Sequence, residues 1–181
     1  MIVCLLRAVN VGGHHSMKMV ELQDLFATQL GFDNPRTFIQ SGNIVFGARK
    51  MPDSAKLEKA IEERFGFHSD VILRTAEELS ETIARNPFAG RAELDGSRLL
   101  VTFLSRDPAP DAAAKLQAMD MPGEEAHLRG RDLYIYFHEG VGKTKLKFPA
   151  LARILGEPGT ARNWNSVLKL AEMATGVGKG S

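Results

Sequence analysis

The sequence predicts an α+β protein in which one β-α-β-β-α-β order is laid down twice, with a helix added at the C-terminus. Three observations predict it. Short apolar runs alternate with stretches whose apolar residues recur at helical spacing. Two pairs of β-rich runs flank tight connections, Ser41-Gly42-Asn43 and Arg129-Gly130-Arg131-Asp132. The element order of residues 2–74 begins again at residue 98.

Residues 2–9 form an apolar run consistent with a buried strand, followed by a loop from Asn10 to Ser16. Ser16 is the expected N-cap of a helix whose apolar face is Met19, Leu22, Leu25, Phe26 and Leu30, and Gly31 suits a left-handed C-cap. Residues 36–40 and 44–46 pair as a hairpin. Asp53 caps a second helix carrying Leu57, Ala60, Ile61 and Phe65, closed by Gly66. Residues 68–74 complete the unit as a strand, which gives the ferredoxin-like order: a four-stranded antiparallel sheet with two helices on one face. Thr75 and Glu78 have the spacing of a capping box, so a connecting helix follows at once and stops before Pro87. Residues 98–104 are a strand, 112–119 a helix, 126–128 and 133–137 a hairpin, and 147–155 a helix ended by Gly156. This second unit reads as incomplete, its last strand missing or replaced. Thr160 is the expected cap of a final helix with the stripe Trp164, Val167, Leu168 and Ala171. The expected division is therefore 1–74, a connection over 75–97, a second half over 98–155, a helix over 156–175 and a disordered tail over 176–181.

The 181 residues are 44% hydrophobic and 25% charged, with a net charge of +1. That composition excludes a disordered chain and a coiled-coil rod. No apolar run approaches the roughly 20 residues that span a bilayer, so no membrane partner is expected. One cysteine, Cys4, makes neither an internal disulfide nor a thiolate metal site, and a cytoplasmic protein with a buried thiol is expected. The charge is uneven: from residue 141 onward seven basic residues face two acidic ones, a balance of +5, which leaves −4 for the first 140. A basic end suits an anionic partner, and equally suits a solvated helical face.

Four segments carry a family resemblance: LLRAVNVGGHHSMKMVEL, FIQSGNIVF, NPF at residues 86–88, and TKLKFPALARILG followed by TARNWNSVLKLAEM. Together they resemble the bacterial family known as domain of unknown function 1697, over nearly the whole chain. The resemblance implies two ferredoxin-like halves and no established activity, substrate or cofactor. Ala8 and His14 stand where the family pattern has Gly and often Lys.

Among chemistry-bearing motifs, Arg7-x-x-Asn10-x-Gly12-Gly13 lies between a strand and a helix. Consecutive glycines turn backbone N–H groups toward one point, the helix start adds partial positive charge, and Lys18 can reach back. A tight turn that needs glycine only for its dihedrals explains the same residues. Arg162 and Asn163 open the expected last helix, where they suit either a phosphate or carboxylate or a structural cap. The site expectation is that Arg7, Asn10, Gly12, Gly13, Lys18, Arg162 and Asn163 form one anion site from two helix N-termini, with a phosphate-bearing small molecule or nucleic acid as ligand. The alternatives are an enzyme acting on a small phosphorylated or carboxylated substrate and a structural interaction module. Either a monomer or a homodimer is consistent with the sequence.

Other chemistries find little support. Gly140-Val141-Gly142-Lys143-Thr144 has Phe137 where a P-loop requires its first glycine. The histidines are scattered, and no metal-ligand spacing or G-x-S-x-G elbow occurs, so neither metal nor cofactor is expected. The strands lack the exposed aromatics with which an RNA-recognition sheet stacks bases.

Overall fold

A computed structural model describes residues 1–12 and 15–176. The chain divides into two compact units, residues 1–80 with 169–181, and residues 81–168.

The first unit contains β1 (Ile2–Leu6), α1 (Met19–Asp24) running on into a π-helical turn (Leu25–Gln29), β2 (Asp33–Phe38), β3 (Asn43–Gly47), α2 (Ser54–Phe65) and β4 (Val71–Thr75). The sheet order is β2-β3-β1-β4, with every neighbouring pair antiparallel. Cys4, Leu6, Ile44, Phe46 and Val71 on the sheet pack with Leu22, Leu25, Phe26, Leu57 and Ile61 from the helices. Phe46 stacks with Phe26 and Phe32 at ring distances of 5.1 and 4.4 Å, contacts worth about 0.5–1.5 kcal/mol each beyond burial. All five residues of β1 are buried, which is why it reads as a continuous apolar run rather than an alternating one.

Local signals placed the second helix well. Asp53 Oδ1 accepts from Ala55 N at 3.0 Å, and Gly66 closes α2 at φ +78°. The expected cap at Ser16 does not form. The residue before α1 is Lys18, in extended conformation and without a side-chain cap bond.

Thr75 and Glu78 form the expected reciprocal box, Thr75 N donating to Glu78 Oε2 at 2.8 Å and Glu78 N to Thr75 Oγ1 at 3.1 Å. They start α3 (Ala76–Ala84), within which the chain passes from the first unit to the second.

The second unit contains β5 (Leu99–Leu104), α4 (Ala112–Gln117), β6 (Glu124–Arg129), β7 (Asp132–Phe137), a 3-10 turn (Val141–Lys143), α5 (Phe148–Leu155) and β8 (Gly159–Asn163). Its sheet order is β6-β7-β5-β8. The expectation of a missing last strand is therefore overturned: β8 pairs antiparallel with β5, from Leu100 opposite Asn163 to Leu104 opposite Gly159. The two chains approach closely there. A Cβ on Gly159 would lie 2.8 Å from Thr102 Cγ2, so glycine permits the pairing. The expected cap at Thr160 is likewise overturned, since Thr160 lies inside β8. The last helix, α6 (Trp164–Thr175), is capped by Asn163, whose Oδ1 accepts from Ser166 N at 2.9 Å. The chain re-enters the first unit within α6, where Arg36 of β2 donates to the Met173 carbonyl at 2.6 Å. Of the tail, residues 177–181 lie outside the described residues.

Candidate functional site

The loop from β1 to α1 is held in an unusual backbone conformation. Ala8, Asn10 and His15 have φ of +55, +56 and +53°, and Gly12 has φ +59°. Non-glycine residues rarely adopt this left-handed region, and it costs them roughly 1–2 kcal/mol each. The strain is held by the Asn10 side chain. Its Nδ2 donates to the Met17 carbonyl at 3.0 Å and to the Gln40 carbonyl at 2.8 Å, while its Oδ1 accepts from Met17 N at 2.8 Å.

Gln40 comes from the tip between β2 and β3, which the sequence did not place near Asn10. The register decides it: β1 and β3 are antiparallel neighbours with Leu5 opposite Asn43, so the end of one strand meets the start of the other. Leu6 N donates to the Gly42 carbonyl at 2.8 Å. A Cβ on Gly42 would lie 2.8 Å from Leu6 Cβ, so this contact requires glycine. The tip carries strain too, since exposed, β-branched Ile39 sits at φ +48°.

Beside the loop runs a chain of ionic contacts. Arg7 Nη1 reaches Asp70 Oδ2 at 2.8 Å, and His68 Nε2 lies 3.3 Å from Asp70 Oδ1. The Arg7 hydrogen bond, assisted by His68 and opposed by partial burial, holds the Asp70 carboxyl below its ordinary range. Two further bonds join the segments: Arg7 N donates to the Asp70 carbonyl at 3.1 Å and Ser69 Oγ to the Arg7 carbonyl at 2.9 Å. Among the described residues, the Lys18 side chain pairs with Glu21, at 3.7 Å. His15 stacks on Phe67 with ring centroids 4.6 Å apart.

Arg7, Asn10, Gly12 and Lys18 thus lie on one loop of the first unit, and Gly13 lies outside the described residues. Arg162 and Asn163 belong to the second unit and are not a helix N-terminal pair of anion donors. Arg162 is buried inside β8, donating from Nη1 to Thr160 Oγ1 at 2.7 Å and to the Ala161 carbonyl at 2.8 Å. Asn163 spends its side-chain oxygen on the α6 cap.

Sequence reasoning missed the partners Asp70, His68 and Gln40. It also missed a cluster in the second unit, where Arg91 grips Glu125 with two bonds of 2.7 Å and His127 Nε2 lies 2.9 Å from Glu125 Oε1. Arg91, then His127, pull the Glu125 carboxyl down to about 2. No periodic signal could have found either set, because each pairs an arginine with a carboxylate 63 or 34 residues further along the chain. Among the described residues, no group of three or more His, Cys, Asp or Glu is placed to hold a metal ion.

The family described as Protein of unknown function (DUF1697) matches residues 1–134. The chain belongs to this family. The match covers the first unit's sheet and the second unit as far as the first half of β7, and ends before the C-terminal segments quoted above. A solved structure, described as that of conserved bacterial protein SP0830 from Streptococcus pneumoniae, is similar at a TM-score of 0.71 with 23% identity. The similarity covers 96% of this chain and 97% of that one, and it shows the fold alone. No curated protein matches the chain. No helix among the described residues is long and apolar enough to cross a membrane.

Proposed function

We propose that the chain is a binding protein for an anionic, phosphate-bearing ligand, a metabolite or a nucleic acid, taken at the β1–α1 loop. The observation that carries this reading is the state of Arg7. Asp70 fixes one terminal nitrogen at 2.8 Å, the side chain is 49% exposed, and among the described residues its remaining donors have no partner. A guanidinium held this way keeps its charge at every physiological pH and offers planar donors without further ordering cost. Lys18, 78% exposed, adds a point charge on the same loop. Among the described residues beyond its chain neighbours, a Cβ added at Gly12 would meet no atom within 4 Å, which leaves room for a ligand to approach the backbone there.

In this reading Arg7, Lys18 and the Gly12–Gly13 backbone are contacts, and Asn10 shapes the loop. Arg162 and Asn163 are structural. We assign both units to the ferredoxin-like class on their strand order. We place the protein in the cytoplasm, where the buried thiol of Cys4 stays reduced.

The test is isothermal titration of the full chain with inorganic phosphate, pyrophosphate and a short single-stranded oligonucleotide at low salt. Arg7→Ala is expected to cost about 1.5–3 kcal/mol, the scale of a hydrogen bond to a charged group, or roughly 10- to 150-fold in Kd. Unchanged affinity in that variant, or no saturable binding of any probe to the wild type, rejects the reading.

A further inference from the structure

In the second unit, the approach to β6 and the segment after β7 line a half-open pocket of about 150 Å³. Its lining includes Gly123, Glu124, Glu139, Lys143, Thr144 and Lys145. Two acidic and two basic residues therefore line one small space. Opposite charges so placed ordinarily pair, yet among the described residues none of the four makes an ion pair.

Part of the reason is that Glu124 is held elsewhere. Thr144 Oγ1 donates to its Oε1, and Gly123 N donates to its Oε2 at 3.3 Å. The Thr144 hydroxyl is itself locked by accepting from Leu146 N at 3.0 Å. Thr144 stands between the two lysines in the chain. One short segment thus fixes the carboxylate and carries both cations, and Lys143 N is pinned to the Gly140 carbonyl at 3.1 Å.

The geometry points to a binding site for a small zwitterion, a molecule with an amine at one end and a phosphate or carboxylate at the other. The formal charges of the lining cancel. An anion alone meets two carboxylates, and a cation alone meets two ammonium groups. A ligand with separated charges gains at both ends, its anion at Lys143 and Lys145 and its amine at Glu124 and Glu139. The site uses different residues from the Arg7 loop and does not depend on the function proposed there.

The test is isothermal titration of the full chain with O-phosphoethanolamine and with β-alanine at low ionic strength, in the wild type and in Arg7→Ala, the comparisons with phosphate being made in Arg7→Ala so that phosphate taken at the β1–α1 loop is not counted. At least one is expected to bind saturably, with inorganic phosphate and ethanolamine each at least about tenfold weaker. The double variant K143A/K145A and, separately, Glu139→Gln should each raise Kd by about tenfold or more. Glu139 is exposed and, among the described residues, its side chain makes no hydrogen bond or ion pair, so its variant keeps the test open if another fails to fold. Arg7→Ala should leave this affinity unchanged. Failure of both zwitterions to saturate overturns the inference. So does phosphate binding as tightly as O-phosphoethanolamine, unchanged affinity in Glu139→Gln, or loss of binding in Arg7→Ala.

Discussion

Replacing Asn10 by alanine removes three side-chain bonds, two to Met17 within the β1–α1 loop and one to Gln40 at the β2–β3 tip. The two donated bonds leave carbonyls that water can reach in part, so each is worth about 0.5–1.5 kcal/mol. The accepted bond matters more. Met17 is only 3% exposed, and its N–H loses its acceptor, at a cost of about 1–3 kcal/mol. Alanine at φ +56° adds about 1 kcal/mol of backbone strain that asparagine tolerates better. With partial relaxation we expect Asn10→Ala to destabilise the first unit by about 2–4 kcal/mol. Asn10→Gly removes the same bonds but accepts the dihedral, and we expect it to lose about 1 kcal/mol less. Because the chain has two units, a single melting temperature is a poor readout. Native-state hydrogen exchange of the β1 and β3 amides reports the first unit directly. A change under about 0.5 kcal/mol in Asn10→Ala, measured this way, refutes the role given to this side chain.

Other variants test other parts of the account. Ala8→Gly relieves a φ of +55° and should stabilise the same amides by about 0.5–1 kcal/mol after the added unfolded-state entropy; a loss of stability contradicts the strain. Glu125, drawn from 4.5 to about 2, contributes stability that is complete above pH 4.5 and is lost as pH falls toward 2. Since about a third of its side chain is exposed, solvent screening limits Glu125→Gln to about 1 kcal/mol at neutral pH. The two proteins should converge in urea titrations near pH 2, and a gap that widens on acidification is the contrary result. Trp164, 8% exposed at the start of α6, should cost about 3–5 kcal/mol on truncation to alanine. A midpoint shift in urea equivalent to less than about 1 kcal/mol would show the ring to be dispensable.

The sequence by itself determined the features whose partners lie within about four residues. Asp53 and Gly66 bound α2, Thr75 and Glu78 start α3, and Gly156 ends α5 at φ +73°, each through contacts that the chain makes with its own near neighbours. Turn chemistry and apolar runs also placed seven of the eight strands: β1, β3, β4, β5 and β7 are largely buried apolar runs, and the more exposed β2 and β6 were found through their hairpin connections. The eighth escaped. Residues 159–163 read Gly-Thr-Ala-Arg-Asn, with little β propensity, and their strand exists only through pairing with β5. The site followed the same division. Arg7, Asn10, Gly12 and Lys18 were recognisable as one polar loop, but what the Arg7 and Asn10 side chains do depends on residues 63 and 30 positions away. Gln40 and Asp70 reach the loop because β3 and β4 flank β1 in the sheet, an order written in no local pattern. Arg162 changed meaning for the same reason: a residue expected to face an anion at a helix start is instead buried in an edge strand, where burial satisfies its guanidinium with protein oxygens rather than leaving it to a ligand.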